Sequence, residues 1–455
     1  MSRVFLLSSN ATIDPYPVYP LGMAVVAAAL SAAGHDVCQF DYLAAGRSPD
    51  LLRERIEAFA PDFIGLSLRN LDNADSFSQL QGWYLDAARE LLAAVRQVSR
   101  APLILGGPAF SLLPEAILDY LGGDYGIVGE GERALPELLQ ALAENRPVPR
   151  LIRDTPLLDG SRLAAPLYVP ELVRFYRQES GLLNLQSKRG CPHRCSYCSY
   201  PRLEGERFRF RDPVQLAEEI ERLQRDQGVD SLFFTDSVFN DPQGHYLLVA
   251  EEFLRRGLKL RWSGFFRPQG MGVKELSLLK RAGLFAMELG TDAASDSTLE
   301  GLQKGFGFAE VLAVNRAAVA VGIPCAHFVM FGGPGETETT LREGLANLAR
   351  LEHCVVFAFS GIRILPDTAL RQRAIAEGLL TADNDLLRPV YYFSPQLAPA
   401  SLNRQLEKAF RGRRDRIFPP PEGQKRLLVM RRFGYRGLLW DTLVRLPQSA
   451  QQKVC

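Results

Sequence analysis

Cys191, Cys195 and Cys198 stand in the stretch Lys188-Arg-Gly-Cys-Pro-His-Arg-Cys-Ser-Tyr-Cys-Ser-Tyr-Pro201. A C-x3-C-x2-C loop offers three thiolates to one corner of a cubane [4Fe-4S] cluster, ligating three irons and leaving the fourth open to a substrate or cofactor. The spacing separates this site from its competitors. A ferredoxin cluster takes a fourth Cys and tetrahedral zinc a fourth Cys or His, and neither a second C-x2-C nor an H-x3-H follows. His193 lies inside the loop, where closing a ring onto the same metal is strained.

The elements around the loop read as a parallel barrel of strand-helix units. A strand at 184–187 delivers the cysteines, and strands at 231–237, 258–262, 286–290, 325–331 and 355–365 alternate with helices at 214–227, 246–256, 273–282 and 308–321. Asp236, Ser237, Arg267, Asp292, the Gly332-Gly-Pro-Gly-Glu336 run and Arg363 fall at strand ends, where a barrel keeps its chemistry. Asp236 and Asp292 have a plainer reading as caps of the next helix. Phe265, Phe266, Tyr391, Tyr392 and Phe393 suit an apolar ligand.

Residues 1–145 read as a doubly wound sheet, with strands at 4–8, 34–41, 62–67, 103–106 and 125–128 and helices at 22–33, 51–59, 83–98 and 135–143. Ligands of such sheets lie across the carboxyl ends of the strands. Those ends carry Ser67-Leu68, Gly106-Gly107-Pro108 and Gly129-Glu-Gly-Glu132, where small residues let the backbone approach a large flat or phosphate-bearing ligand. Residues 146–180 read as a linker and 181–395 as the barrel.

Composition supports a soluble enzyme of two or three domains. The 455 residues exceed one ordinary core. Lys plus Arg (53) balance Asp plus Glu (52), which leaves no overall field for nucleic acid. No apolar stretch reaches a bilayer span, and the N-terminal run is too short for a signal peptide. Seven cysteines, three in one loop, fit a reducing cytoplasm.

With Tyr197 before the last Cys, the loop matches the C-x3-C-x-aromatic-C signature and resembles radical S-adenosylmethionine (SAM) enzymes. The resemblance implies a partial (β/α)6 barrel in which SAM chelates the open iron, and an external one-electron reductant of flavodoxin or ferredoxin type. It places Tyr197, Asp236, Ser237, Arg267 and Asp292 around SAM, with Asp292 on the ribose and Gly332, Gly333, Gly335 and Glu336 along the adenosyl group. In order, Tyr19-Pro-Leu-Gly-Met23, Gly34-His-Asp-Val37, Asp62 to Ser67, Leu105-Gly-Gly-Pro108, Pro114-Glu115 and Val128-Gly-Glu-Gly-Glu132 resemble the Rossmann-like cobalamin-binding domain fused in front of many such enzymes. Leu21, Gly22, Ser67, Leu68, Gly106, Gly107, Gly129, Glu130 and Gly131 are then the expected cobalamin contacts. Asp-x-His-x-x-Gly is absent, so no histidine is expected on cobalt; Asn70, Asp72 and Asn73 read as neighbours of the lower corrin face or as solvated loop.

The two resemblances together imply a class B radical SAM methyltransferase: one SAM gives a deoxyadenosyl radical that activates a carbon, and methylcobalamin, recharged by a second SAM, supplies the methyl group. A non-methylating cyclisation, ring contraction or oxidation, or a non-catalytic cobalamin or redox sensor, are the alternatives. A methylthiotransferase is disfavoured, because it needs further N-terminal cysteines and only Cys38 lies there. Tyr200 to Glu206 and Thr235 to Asn240 resemble a subgroup found near lipid-biosynthesis genes, which implies a small-molecule or lipid-type substrate.

The extension 396–455 differs in charge. From Ser401 on, 13 Lys and Arg face 4 Asp and Glu, a basic, aromatic-rich tail suited to a membrane surface or an acyl carrier, or else a helical cap over the barrel mouth.

Overall fold

Short apolar runs that alternate with helices burying one side stack as parallel sheets covered by helices. The computed structural model describes residues 1–13, 16–77, 83–153 and 155–447. In the front half β1 (Arg3–Ser8), α1 (Leu21–Ala32), β2 (Asp36–Asp41), α2 (Pro49–Phe59), β3 (Phe63–Ser67), α3 (Leu85–Val98), β4 (Leu103–Gly106), α4 (Pro108–Leu112), α5 (Pro114–Leu121), β5 (Tyr125–Ile127), α6 (Gly131–Ala143) and β6 (Leu151–Ile152) build a six-stranded sheet in the order β2-β1-β3-β4-β5-β6. The chain reverses direction across the sheet at β1, so the crevice lies at the carboxyl ends of β1 and β3.

The expected linker holds α7 (Pro170–Ser180), which buries Leu172, Val173 and Tyr176. β7 (Leu183–Leu185) follows, then the hairpin β8 (Lys188–Arg189) and β9 (Arg209–Phe210), which encloses the cysteines and α8 (Tyr200–Glu204). The barrel continues through α9 (Pro213–Gln227), β10 (Ser231–Phe234), α10 (His245–Arg255), β11 (Arg261–Phe266), α11 (Val273–Arg281), β12 (Met287–Asp292), α12 (Asp296–Gly301), α13 (Phe308–Val321), β13 (Cys325–Phe331), α14 (Glu338–Ala349) and β14 (Cys354–Ser360). The remaining elements are β15 (Ile362–Arg363), α15 (Ala369–Ala376), β16 (Tyr391–Tyr392), α16 (Pro399–Phe410), β17 (Arg416–Ile417) and α17 (Pro420–Arg432).

Three barrel strands differ most from the reading by pattern, the first being β10, which stops at Phe234, three residues short of the expected end. β11 begins at Arg261, three residues later than expected, and runs on through Ser263-Gly264, a pair that resembles a turn but packs inside the sheet. The expected last strand breaks at Gly361, whose φ of 77° favours glycine, and the chain turns so that β15 pairs antiparallel with β16.

The tail does not stand apart from the barrel. β17 pairs parallel with β14, making a seven-stranded sheet in the order β17-β14-β13-β12-β11-β10-β7. A parallel strand followed by a helix returns the chain to the amino ends of the strands. There Leu438 and Trp440 pack with Leu182, Ala286, Ala326 and Val355, and Trp440 Nε1 donates to Glu288 at 3.0 Å. The end of the tail is therefore a plug in the barrel floor, while α16 sets Leu402 beside Gly332 and Asn403 on Ser360 at the carboxyl ends of β13 and β14. Among the described residues no helix is long and apolar enough to cross a membrane.

Candidate functional site

A buried charge pair fixes the strand end that delivers the cysteine loop. Asp236 Oδ1 accepts the Ser187 N–H at 2.7 Å, and Oδ2 takes the Ser187 hydroxyl and the Lys188 ammonium, the latter at 3.2 Å. Asp241 lies 3.8 Å from the same ammonium, and all three side chains are sealed from solvent. Asp236, expected around SAM, thus has both carboxylate oxygens engaged by protein donors; a buried ion needs its partners in place. Ser237 also turns to the loop, donating to the Gly190 carbonyl at 2.8 Å.

The three thiols are free, Cys191 buried and Cys195 and Cys198 half-buried. Burial first, and then the other thiolates, push Cys198 up to about 12 and raise Cys191. Lys304 pulls the other way on Cys198 and Arg267 on Cys191. Burial and the same two cations lower His193 to about 4, and its Nε2 finds no hydrogen-bond partner. Three thiolates packed in a half-buried loop repel one another unless a cationic core lies between them. Among the described residues no three His, Cys, Asp or Glu side chains come together to hold a single metal ion, whereas a cubane takes one thiolate at each of three separate irons.

Tyr197 and Asp292 meet beside the loop. The Tyr197 hydroxyl donates to Asp292 Oδ2 at 2.6 Å, and Lys304 binds the same oxygen. Asp292 occupies the left-handed region (φ 60°) at a register shift between β12 and β13, a strained position for a non-glycine residue. Arg267 lies over the Phe306 ring at 4.8 Å. Lys304 escaped the sequence reading because it sits in the loop after α12, with no motif around it.

The Gly332 to Glu336 loop closes on itself. The Glu336 carboxylate accepts the N–H groups of Gly332 and Gly333, the latter at 3.1 Å, and burial lifts its pKa to about 7. Both amides take the same oxygen, Oε2, which leaves Oε1 of Glu336 without a bond inside the loop; at Gly335 an added Cβ would meet nothing within 4 Å.

At the sheet crevice the glycines divide. An added Cβ at Gly22 or Gly129 meets nothing within 4 Å, and at Gly106 only the Ile127 carbonyl at 3.8 Å. Gly107 instead packs on the Leu68 backbone, with Leu68 N at 2.9 Å from such a Cβ, and Gly131 on Val26 at 3.1 Å. Leu68 is itself buried, its N–H bonded to Gly106 O and its carbonyl to Ala109 N–H. Gly107 and Gly131 are thus close-packed on the side an added Cβ would take, while Leu21 and Ser67 remain half-exposed at the crevice.

Glu130 ties the two halves together. Its carboxylate pairs with Arg189 at 3.0 Å and Arg209 at 2.5 Å, both from the hairpin that carries the cysteines, and Glu132 pairs with Arg189 at 2.6 Å. The Glu130 side chain is thus a latch between the two halves. Asp72 likewise pairs with Arg363 at 2.9 Å, both buried, which removes it from the corrin face and from solvent.

The barrel interior is aromatic. Phe328 and Phe357 stack with ring planes 9° apart at 5.1 Å, Phe359 continues the row, and Phe233 meets Phe265 edge-on at 5.0 Å. Phe265 is 38% exposed although its strand is central, so open space adjoins it. Phe266 and Tyr392, expected to serve a ligand, are core residues. On the floor, burial lifts Glu288 to about 7.

Comparison with known proteins agrees with this division. The B12 binding domain model matches residues 14–139 and the Radical SAM superfamily model residues 185–346. The chain belongs to the cobalamin-binding radical SAM enzymes. Tryptophan 2-C-methyltransferase of Streptomyces laurentii is 27% identical, over 82% of this chain and 74% of that protein. TsrM of Kitasatospora setae, a radical SAM methyltransferase solved with tryptophan substrate and the analogue aza-SAM bound, superposes over 97% of both chains with a TM-score of 0.85 at 25% identity. The hopanoid C-3 methylase of Methylococcus capsulatus is 28% identical over 63% of this chain and 55% of its own. The two matched models are those of a B12 binding domain and of the Radical SAM superfamily, and a TsrM structure of Kitasatospora setae holds cobalamin and a [4Fe-4S] cluster. In this chain the open glycine crevice fits the first of these groups and the crowded thiols the second.

Proposed function

We propose that the enzyme methylates an unactivated carbon of an apolar small molecule or lipid held in the aromatic barrel interior. The observation that carries this reading is the direct ion pairing of the crevice loop, through Glu130 and Glu132, to the hairpin bearing Cys191, Cys195 and Cys198, which sets the two cofactor sites side by side. When bound, the cluster and SAM supply a deoxyadenosyl radical, and cobalamin supplies the methyl group. The three cysteines hold the cluster, with Arg267 and Lys304 keeping positive charge beside it. Asp292 spends one oxygen on Tyr197 and Lys304, and we assign the other to the ribose hydroxyls. Gly335 lies along the adenosyl group, while Leu21, Gly22, Ser67, Gly106 and Gly129 line the corrin. The phenylalanines exclude water from the reacting carbon.

Methyl-deuterated SAM tests the reaction. Labelled methyl in the product is the expected result; deoxyadenosine without labelled product overturns methyl transfer in favour of another cobalamin-assisted radical reaction, and no deoxyadenosine at all favours a sensor. The crevice assignment has its own test. Gly22→Trp and Gly106→Trp are expected to weaken cobalamin binding at least about tenfold, roughly 1.4 kcal/mol, with iron content unchanged. Gly107→Trp, which strikes the Leu68 backbone, is expected to disturb the fold itself. Cobalamin titration and iron analysis of the three variants check this.

A further inference from the structure

Radical initiation at the cluster consumes one electron that the chain cannot itself supply, so a reduced partner must approach the cysteine loop. The outer side of that loop has the character of a docking face. Pro192 and Arg194, between the first two cysteines, are exposed. Leu157 is 46% exposed and lies against Gly205, whose carbonyl accepts the Cys191 N–H at 3.0 Å, so an apolar side chain on the surface is one residue removed from a ligating thiol. Arg207, also exposed, packs its backbone on Gly190, next to Cys191. Arg194 and Arg207 have no ion-pair partner among the described residues, whereas nearby Arg202 is engaged by Asp367. Glu206 is the acidic residue exposed between them.

We propose that Leu157, Pro192, Arg194 and Arg207 form the docking face for an acidic one-electron carrier protein of flavodoxin type. This rests on the reading of Cys191, Cys195 and Cys198 as cluster ligands. One electron leaves the reduced carrier, which is oxidised, and enters the cluster, which is reduced; no bond is made or broken. Unpaired guanidinium groups around a small apolar centre supply steering and registry, the contributions that charge makes best at a transient interface.

The experiment is equilibrium binding of a bacterial flavodoxin to the cluster-loaded enzyme, by biolayer interferometry at low and high salt. The variants are Arg194→Glu with Arg207→Glu and, as a remote control, Arg426→Glu with Arg432→Glu on the exposed side of α17. The first pair is expected to weaken binding at least about tenfold at low salt, with the difference shrinking at high salt, while the control pair binds as the parent does. Iron content and dithionite reduction of the cluster, followed by electron paramagnetic resonance, are expected to be equal in all three proteins. Equal flavodoxin affinity with intact clusters overturns the docking face, and so does a loss confined to the α17 pair. Failure of dithionite to reduce a cluster in the parent overturns the cluster reading instead.

Discussion

Alanine at any one of Cys191, Cys195 or Cys198 is expected to abolish the bound cubane and all deoxyadenosine formation. The remaining two thiolates anchor only two of the four irons, and the loop loses the symmetry of its hold on the cluster. Absorbance and iron analysis after anaerobic reconstitution read the first loss, and product chromatography the second. Cys38 on β2 and the buried pair Cys325 and Cys354, opposite one another on β13 and β14, are expected to be dispensable for the cluster when replaced singly. Cys455, expected to be equally dispensable, lies outside the described residues. Full iron and activity in a triple variant of the loop would refute the assignment.

The second large effect is expected at the barrel floor. Trp440→Ala removes a 3% exposed indole wedged between strand ends and should destabilise the protein by about 3–5 kcal/mol, measured as a lowered urea midpoint. Trp440→Phe keeps most of the packing and deletes only the N–H donor to Glu288, leaving a buried acceptor unpaired at about 1–3 kcal/mol. That deficit depends on pH. Glu288 is raised to about 7, chiefly by burial, so it favours the fold below its unfolded value and that contribution is lost as pH rises through about 7. The indole N–H offsets part of this by holding the ionised form, so Trp440→Phe should cost more at pH 8 than at pH 5.5. Equal losses at the two pH values would mean that the hydrogen bond contributes nothing.

What the sequence made legible was local. The cysteine spacing, the order of strands and helices and the glycines after β4 and β5 each depend on a few neighbouring residues, and they were found where the periodicity and motifs put them. What the sequence did not show were the contacts made across the chain. Asp236 reads like a ligand at a strand end, and only its approach to Ser187 and Lys188 reveals it as an anchor. Glu130 stands in a glycine-rich turn, but Arg189 and Arg209, some sixty and eighty residues on, claim its oxygens. Lys304 carries no signal until folding places it on Asp292. Gly107 and Gly131 look the same as Gly106 and Gly129 in a sequence, yet they differ in what faces the missing side chain, and only Gly107 and Gly129 take a positive φ. The amphipathic run of α7 carries Pro170 at its start and Gly181 past its end, signals of a helix within the stretch expected to be linker.

One hydrophobic cluster runs without interruption from Leu6 and Met23 in the front sheet through Val173 and Tyr176 of α7 to Phe234, Val329 and Phe418 around the barrel. Together with the Glu130 latch and the Asp72–Arg363 pair, it gives the two halves a shared core and buried ion pairs across their joint. Heating should give a single transition, and the front half expressed alone should not hold its shape. The front half therefore cannot be exchanged between relatives like a cassette, because each inherited change on one side of the joint must be met by a change on the other.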